Sequence, residues 1–199
     1  ISFDMDSWRE WDHDIFEYYF GEDEEEVLLL PQLLKNKEFF NLFGNRMCDM
    51  LNTGMSSTNA AGLIKKITQK IEPEVDRERQ RWAKEHRYVE KRAQIARFTE
   101  HAEKRPAYLR EAFLNFFKVD GKEIKVNLKV NGQGTIKINT ITPKSYPWTG
   151  VYLGSIPITL EAIPMNGSTF KGWSDPKQGN TPIIKITSLE DFEIKAIFE

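Results

Sequence analysis

Val119-Asp120-Gly121-Lys122, followed by Glu123-Ile124-Lys125-Val126-Asn127-Leu128-Lys129-Val130, is where the chain changes character. From Ile124 onward apolar and polar residues alternate one for one. An extended strand therefore gathers Ile124, Val126, Leu128 and Val130 on one face. Phe192-Glu193-Ile194-Lys195-Ala196-Ile197-Phe198 repeats the pattern at the far end. Upstream of Val119, apolar residues recur every three or four positions and Gly and Pro are sparse, which is the texture of helices. The chain reads as α+β: a helical part over 1–118 and a small all-β module over 119–199, built as an antiparallel sandwich or half-open barrel.

Within the β part, strands are expected at 123–130, 134–140, 156–162, 170–173, 182–186 and 192–198. Asn131-Gly132 is a two-residue hairpin signal between the first two. Within the helical part, one helix is expected at 33–52, burying Leu34, Phe39, Phe43, Met47, Met50 and Leu51, with Gly54 closing it. Ser56, Ser57 or Thr58 caps a second, whose apolar face is Leu63, Ile64, Ile67 and Ile71. Pro73 suits the first turn of a third, to about 86, burying Val75 and Trp82. A fourth runs over 89–104 until Arg105-Pro106 breaks it, and a fifth over 107–117 packs Leu109, Phe113, Leu114 and Phe117.

The first six residues, Ile1-Ser2-Phe3-Asp4-Met5-Asp6, read as a buried strand that ends in two carboxylates. Two positions apart, Asp4 and Asp6 point to one side of an extended chain. Such a pair repels unless a cation or strong donors lie between the two groups. Mg²⁺ and Ca²⁺ favour oxygen pairs of this kind, whereas a solvated strand end with capping or salt-bridge partners is the plainer alternative. The pattern opens without an initiator Met or a leader, so the chain is expected to be a piece of a longer protein.

Bulk properties narrow the classes. A chain of 199 residues with formal net charge −2 gives no support for non-specific nucleic-acid binding. No apolar run approaches the ~20 residues of a membrane span. One cysteine, Cys48, excludes a disulfide framework and sits in an apolar helical pattern as a core residue. The acidic run 22–26 lacks the alternating spacing of a calcium loop.

The order of motifs resembles the CotH kinase family (spore coat protein H and its secreted relatives). Phe3-Asp4-Met5-Asp6 resembles that family's aspartate–hydrophobic–aspartate signature. An acidic stretch follows, then Leu33-Leu34-Lys35-Asn36-Lys37-Glu38-Phe39-Phe40. Next comes Arg46-Met47-Cys48-Asp49-Met50-Leu51-Asn52-Thr53, with Met in place of an aromatic, and then Pro73-Glu74 and Arg81-Trp82. The resemblance covers about 1–117. It implies the helical part of a kinase-like C-lobe and, in the intact parent, phosphoryl transfer from ATP with Mg²⁺ or Mn²⁺ to a secreted or coat protein. It implies that Asp4 holds the metal and that Asp6 is a second ligand or orients a metal-bound water. The family's ATP-covering lobe, phosphate-contacting lysine and catalytic aspartate lie upstream of this chain. The piece itself is therefore expected to be inactive and to hold no cofactor, with no catalytic residue of its own. The resemblance further implies export to the cell surface.

The β part is similar to the divergent internalin-type bacterial repeats. The carriers are Gly132-Gln133-Gly134-Thr135-Ile136, Gly150-Val151-Tyr152-Leu153-Gly154 and Phe170-Lys171-Gly172-Trp173. Its implied role is structural or adhesive, with a cell-surface partner. The competing reading of the whole chain is a non-catalytic surface-binding or structural module. His13, His86 and His101 lack ligand spacing, Arg77 to Arg87 reads as a solvated ion-paired helix, and Glu74 and Arg81 are expected to be half-buried and paired. Trp173 is a core filler in preference to a sugar platform.

Overall fold

The computed structural model of the chain describes residues 10–20, 29–84 and 91–199. Among the described residues five α-helices, α1 (Ile15–Phe20), α2 (Leu29–Leu34), α3 (Lys37–Asn52), α4 (Ser57–Trp82) and α5 (Lys91–Phe116), precede seven strands. The strands are β1 (Glu123–Asn131), β2 (Gly134–Ile138), β3 (Trp148–Leu153), β4 (Ile158–Pro164), β5 (Phe170–Trp173), β6 (Ile183–Ile186) and β7 (Phe192–Phe198). The α+β reading holds. Two compact units interleave along the chain: Ile1–Asp14 with Thr53–Leu109, and Ile15–Asn52 with Arg110–Glu199.

The first unit is dominated by α4 and most of α5. Ser56 caps α4, its hydroxyl accepting from the Asn59 amide at 3.3 Å. Ion pairs from Arg92 to Glu72 (3.1 Å) and Lys91 to Glu78 (3.4 Å), and the Ser57 hydroxyl on the Glu103 carbonyl (3.0 Å), show the two helices running antiparallel. Pro73 lies inside α4 and Pro106 inside α5, so neither starts nor breaks a helix. Each removes one backbone donor and strains one turn, and the flanking turns carry the helix across. Of the expected α4 face, Leu63 (58%), Ile67 (50%) and Ile71 (42%) are exposed, as is Trp82 (45%), while Val75 alone is fully buried.

In the second unit the expected helix over 33–52 is two helices. Asn36 separates them: its side-chain oxygen accepts from the amides of Glu38 (2.9 Å) and Phe39 (3.0 Å), capping α3. The β-strands form two layers, in the order β3-β1-β7-β5 and β2-β4-β6. Alternation buries Ile124, Val126, Leu128, Tyr152, Ile194 and Ala196 from the first layer, and Ile136, Ile138, Ile158, Leu160 and Ala162 from the second. Three expectations need correction. The pairing is antiparallel except for β1 with β7, which run parallel from Val126↔Phe192 to Asn131↔Ile197. The Asn131-Gly132 turn does not close a hairpin, because β1 and β2 belong to different layers. Gly132 has φ 90°, and a Cβ there would lie 2.1 Å from the Phe198 carbonyl oxygen, so the glycine lets the turn press on the end of β7. Finally, β3 was not expected as a strand, because Thr149-Gly150 and the flanking Pro147 mask its alternation.

Helix α3 and the last turns of α5 share an aromatic core. Phe113 is fully buried and meets Phe16 (5.6 Å, edge-on), Phe40 (5.3 Å), Phe43 (6.1 Å) and Phe117 (4.8 Å). Gly44 lets α3 approach this ring: a Cβ there would stand 3.1 Å from Phe113 and 2.9 Å from Ile156. Phe113→Ala is expected to lower stability by about 3–5 kcal/mol. Hydrogen exchange of the Tyr152 and Ile194 amides should accelerate with it. A sandwich indifferent to this ring would exchange at the wild-type rate.

Candidate functional site

Asp4 and Asp6, both expected as metal ligands, lie outside the described residues, as do the acidic run 22–26 and His86. What is described begins four residues after Asp6, with the segment 10–14 fastened to α5 in the first unit. The Arg105 guanidinium donates to the carbonyls of Trp11 (2.7 Å) and His13 (2.5 Å). Glu10 pairs with Arg97. Trp11 is gripped on two sides, with the Lys104 ammonium 4.6 Å from its ring and Tyr108 edge-on at 5.9 Å. Burial pulls the Arg105 pKa down, opposed by Tyr108, Asp14 and Asp12. Burial also lowers His101, with the Arg105 charge adding to it and Glu10 opposing. No group of three or more His, Cys, Asp or Glu side chains suited to a metal occurs among the described residues.

Glu74 and Arg81 are not half-buried as expected. Glu74 forms an exposed pair with Arg77 at 3.1 Å, and Arg81 lies 4.9 Å over the exposed Trp82 ring. Surface pairs of this kind contribute little to stability.

The segment Arg46-Met47-Cys48-Asp49-Met50-Leu51-Asn52 carries a polar face of α3 into the β layers. Asp49 is fully buried. Its carboxyl group accepts from the Tyr152 hydroxyl (2.8 Å), the Thr140 amide (2.9 Å) and the Thr140 hydroxyl (2.6 Å). Arg46 donates to the same Thr140 oxygen at 2.6 Å. Asn45 donates to the Pro157 carbonyl at 2.8 Å. The Asn52 side chain makes both bonds of a strand neighbour, donating to the Val151 carbonyl (2.9 Å) and accepting from its amide (2.8 Å). It thereby closes the open edge of β3. The expected buried stripe of α3 is thus partly polar, and Met50 is exposed. Periodicity of apolar residues carries no signal for buried Asn and Asp. Their spacing of three to four, at 45, 49 and 52, was the available hint. Beside this face lies a cleft of about 420 Å³ lined by Asn41, Asn45, Thr140, Thr159, Glu38 and Lys185.

Cys48 is buried in the same helix, and burial pushes its thiol up to about 12, with Arg110 opposing and Asp49 and Glu123 adding. At pH 8 only about one thiol in ten thousand is ionised. Native protein should therefore resist iodoacetamide and react once unfolded in urea. Because the folded pKa exceeds the ordinary thiol value of about 8.5, this burial favours folding below that pH. The advantage declines as pH rises from there toward 12. Rapid labelling of the native chain would contradict the burial. Trp173 is also buried, its indole N–H donating to the Thr181 carbonyl at 2.9 Å, so it fills the core.

A family model described as CotH kinase protein matches residues 1–109. The match takes in more than half of the chain, which therefore belongs to the CotH kinase family. It ends where the first compact unit ends, at Leu109. No curated protein and no solved structure matches this chain. No described helix is long and apolar enough to cross a membrane.

Proposed function

We propose that the protein containing this chain transfers a phosphoryl group from ATP to a hydroxyl of a secreted or coat protein. Asp4 and Asp6 are hard oxygen donors of the kind that suits Mg²⁺ or Mn²⁺. Such a cation, when bound, draws charge from the phosphate oxygens during transfer. Asp4 holds it, and Asp6 either completes its sphere or orients one of its waters. Arg105, Arg97 and the Trp11 contacts hold the chain that leads away from this pair. The family match over residues 1–109, which includes both aspartates, carries the reading.

The β layers complete the proposal as an internalin-type repeat module of an exported protein that meets a partner at the cell surface. The test is transfer of labelled phosphate by the protein at its natural length, with Mg²⁺ or Mn²⁺, and its loss in Asp4→Ala. A non-catalytic surface module predicts no metal-dependent labelling at all.

A further inference from the structure

The parallel register of β1 and β7 sets Lys129 directly beside Lys195. Neighbouring strands lie about 4.8 Å apart, and like charges facing each other across that gap destabilise a sheet. Among the described residues one acid, Glu193, pairs with these lysines, and it pairs with Lys129 alone. Glu193 places one carboxylate oxygen 2.8 Å from the Lys129 ammonium and the other 3.1 Å from the Asn127 amide nitrogen. Both of its oxygens are engaged, and Lys195, half-buried, has no ion-pair partner among the described residues. The two lysines line a groove of about 380 Å³ together with Val130, Asn131, Tyr146 and Pro147.

The wall of this groove is rigid. The Tyr146 hydroxyl accepts from the Ile136 amide at 2.7 Å and donates to the Ile136 carbonyl at 2.9 Å, so the ring cannot swing away. A fixed aromatic ring and a proline offer a flat apolar surface. Two ammonium groups, one of them unneutralised, and the Asn131 amide offer donors for an oxyanion. Local stability is given up at a place where charge and shape converge, which is the pattern of a binding site.

We propose that this groove binds an anionic sugar, a pyranose carrying a phosphate or carboxylate. The oxyanion lies against Lys195, Lys129 and Asn131, and the carbon–hydrogen face of the ring rests on Tyr146 and Pro147. The site is independent of the phosphoryl-transfer reading, and its chemistry is recognition without a covalent step.

The test is titration of the whole chain with glucose 6-phosphate, glucuronate, inorganic phosphate and glucose, followed by amide chemical shifts of β1 and β7 and by thermal melting. Glucose 6-phosphate or glucuronate is expected to shift residues 129–131 and 195 and to raise the melting temperature. Inorganic phosphate should act more weakly and glucose not at all. Lys195→Gln should weaken the anionic sugar by about tenfold or more, as the removal of one charge-assisted contact predicts. Lys195→Arg should retain it. Without ligand at low salt, Lys195→Gln should melt no lower than the wild type, because a repulsion is removed, and this also verifies that the variant folds. Absence of any response to both anionic sugars overturns the proposal. So does an undiminished response in Lys195→Gln. Equal response to inorganic phosphate and glucose 6-phosphate removes the sugar from the site and overturns it as well.

Discussion

Asp49→Ala is expected to destabilise the unit that holds α3 and the β layers by about 3–5 kcal/mol. The substitution deletes one acceptor group that serves three donors at once. The Tyr152 hydroxyl is sealed inside the sandwich, where burial first, and then the neighbouring Asp49 carboxyl group, drive its pKa upward. Left without its acceptor there, it loses roughly 1–3 kcal/mol, and the Thr140 amide a similar amount. Arg46 keeps its bond to Thr140 but the turn that presents Thr140 loses its anchor. Asp49→Asn retains an acceptor on one side and turns an N–H₂ toward a donor on the other, so it should recover only part of the loss. Urea denaturation followed by far-UV circular dichroism measures both variants. A change below about 1 kcal/mol for Asp49→Ala would mean that water replaces the carboxyl group and that the network is not structural.

The same helix shows how far the sequence could be read. Its existence follows from apolar spacing, and Asn36, quoted for its place in a family motif, is the residue that caps it. Nothing local announces that Asn45, Asp49 and Asn52 face inward, because each is satisfied by a partner about a hundred residues away. Burial of polar groups is decided by such distant partners. Pro73 and Pro106 misled for the opposite reason. Their local preference to start or stop a helix is clear, yet α4 and α5 run through them despite a penalty of about 3 kcal/mol. The strands β1 and β7 were legible because each buries one face. Their parallel pairing was not, since alternation fixes a face and leaves direction open. At the candidate site, Asp4 and Asp6 stand out in sequence as a like-charged pair. The fastening of segment 10–14 by Arg105 does not, because arginine bonds to main-chain carbonyls leave no pattern in side-chain spacing.

Asp4→Ala, made in the protein at its natural length, is expected to reduce metal-dependent phosphate transfer by roughly a thousandfold, ~4 kcal/mol of barrier. In phosphoryl transfer most of the rate comes from holding groups in line and offsetting charge, so a carboxylate that holds the cation weighs heavily. Asp6→Asn should fall less, because an amide oxygen still ligates a hard cation or orients its water, though without charge. Two controls separate chemistry from folding. Melting of Asp4→Ala should stay within about 1 °C of wild type without metal, as expected of a carboxylate whose proposed role is to hold a cation. Under the proposed roles, raising Mn²⁺ should recover part of the Asp6→Asn activity and little of the Asp4→Ala activity, because concentration offsets a weakened affinity but does not replace an anchoring ligand. Equal activity of Asp4→Ala and wild type at every metal concentration would take Asp4 out of the reaction. The family membership of the chain, which rests on the match over residues 1–109, would stand.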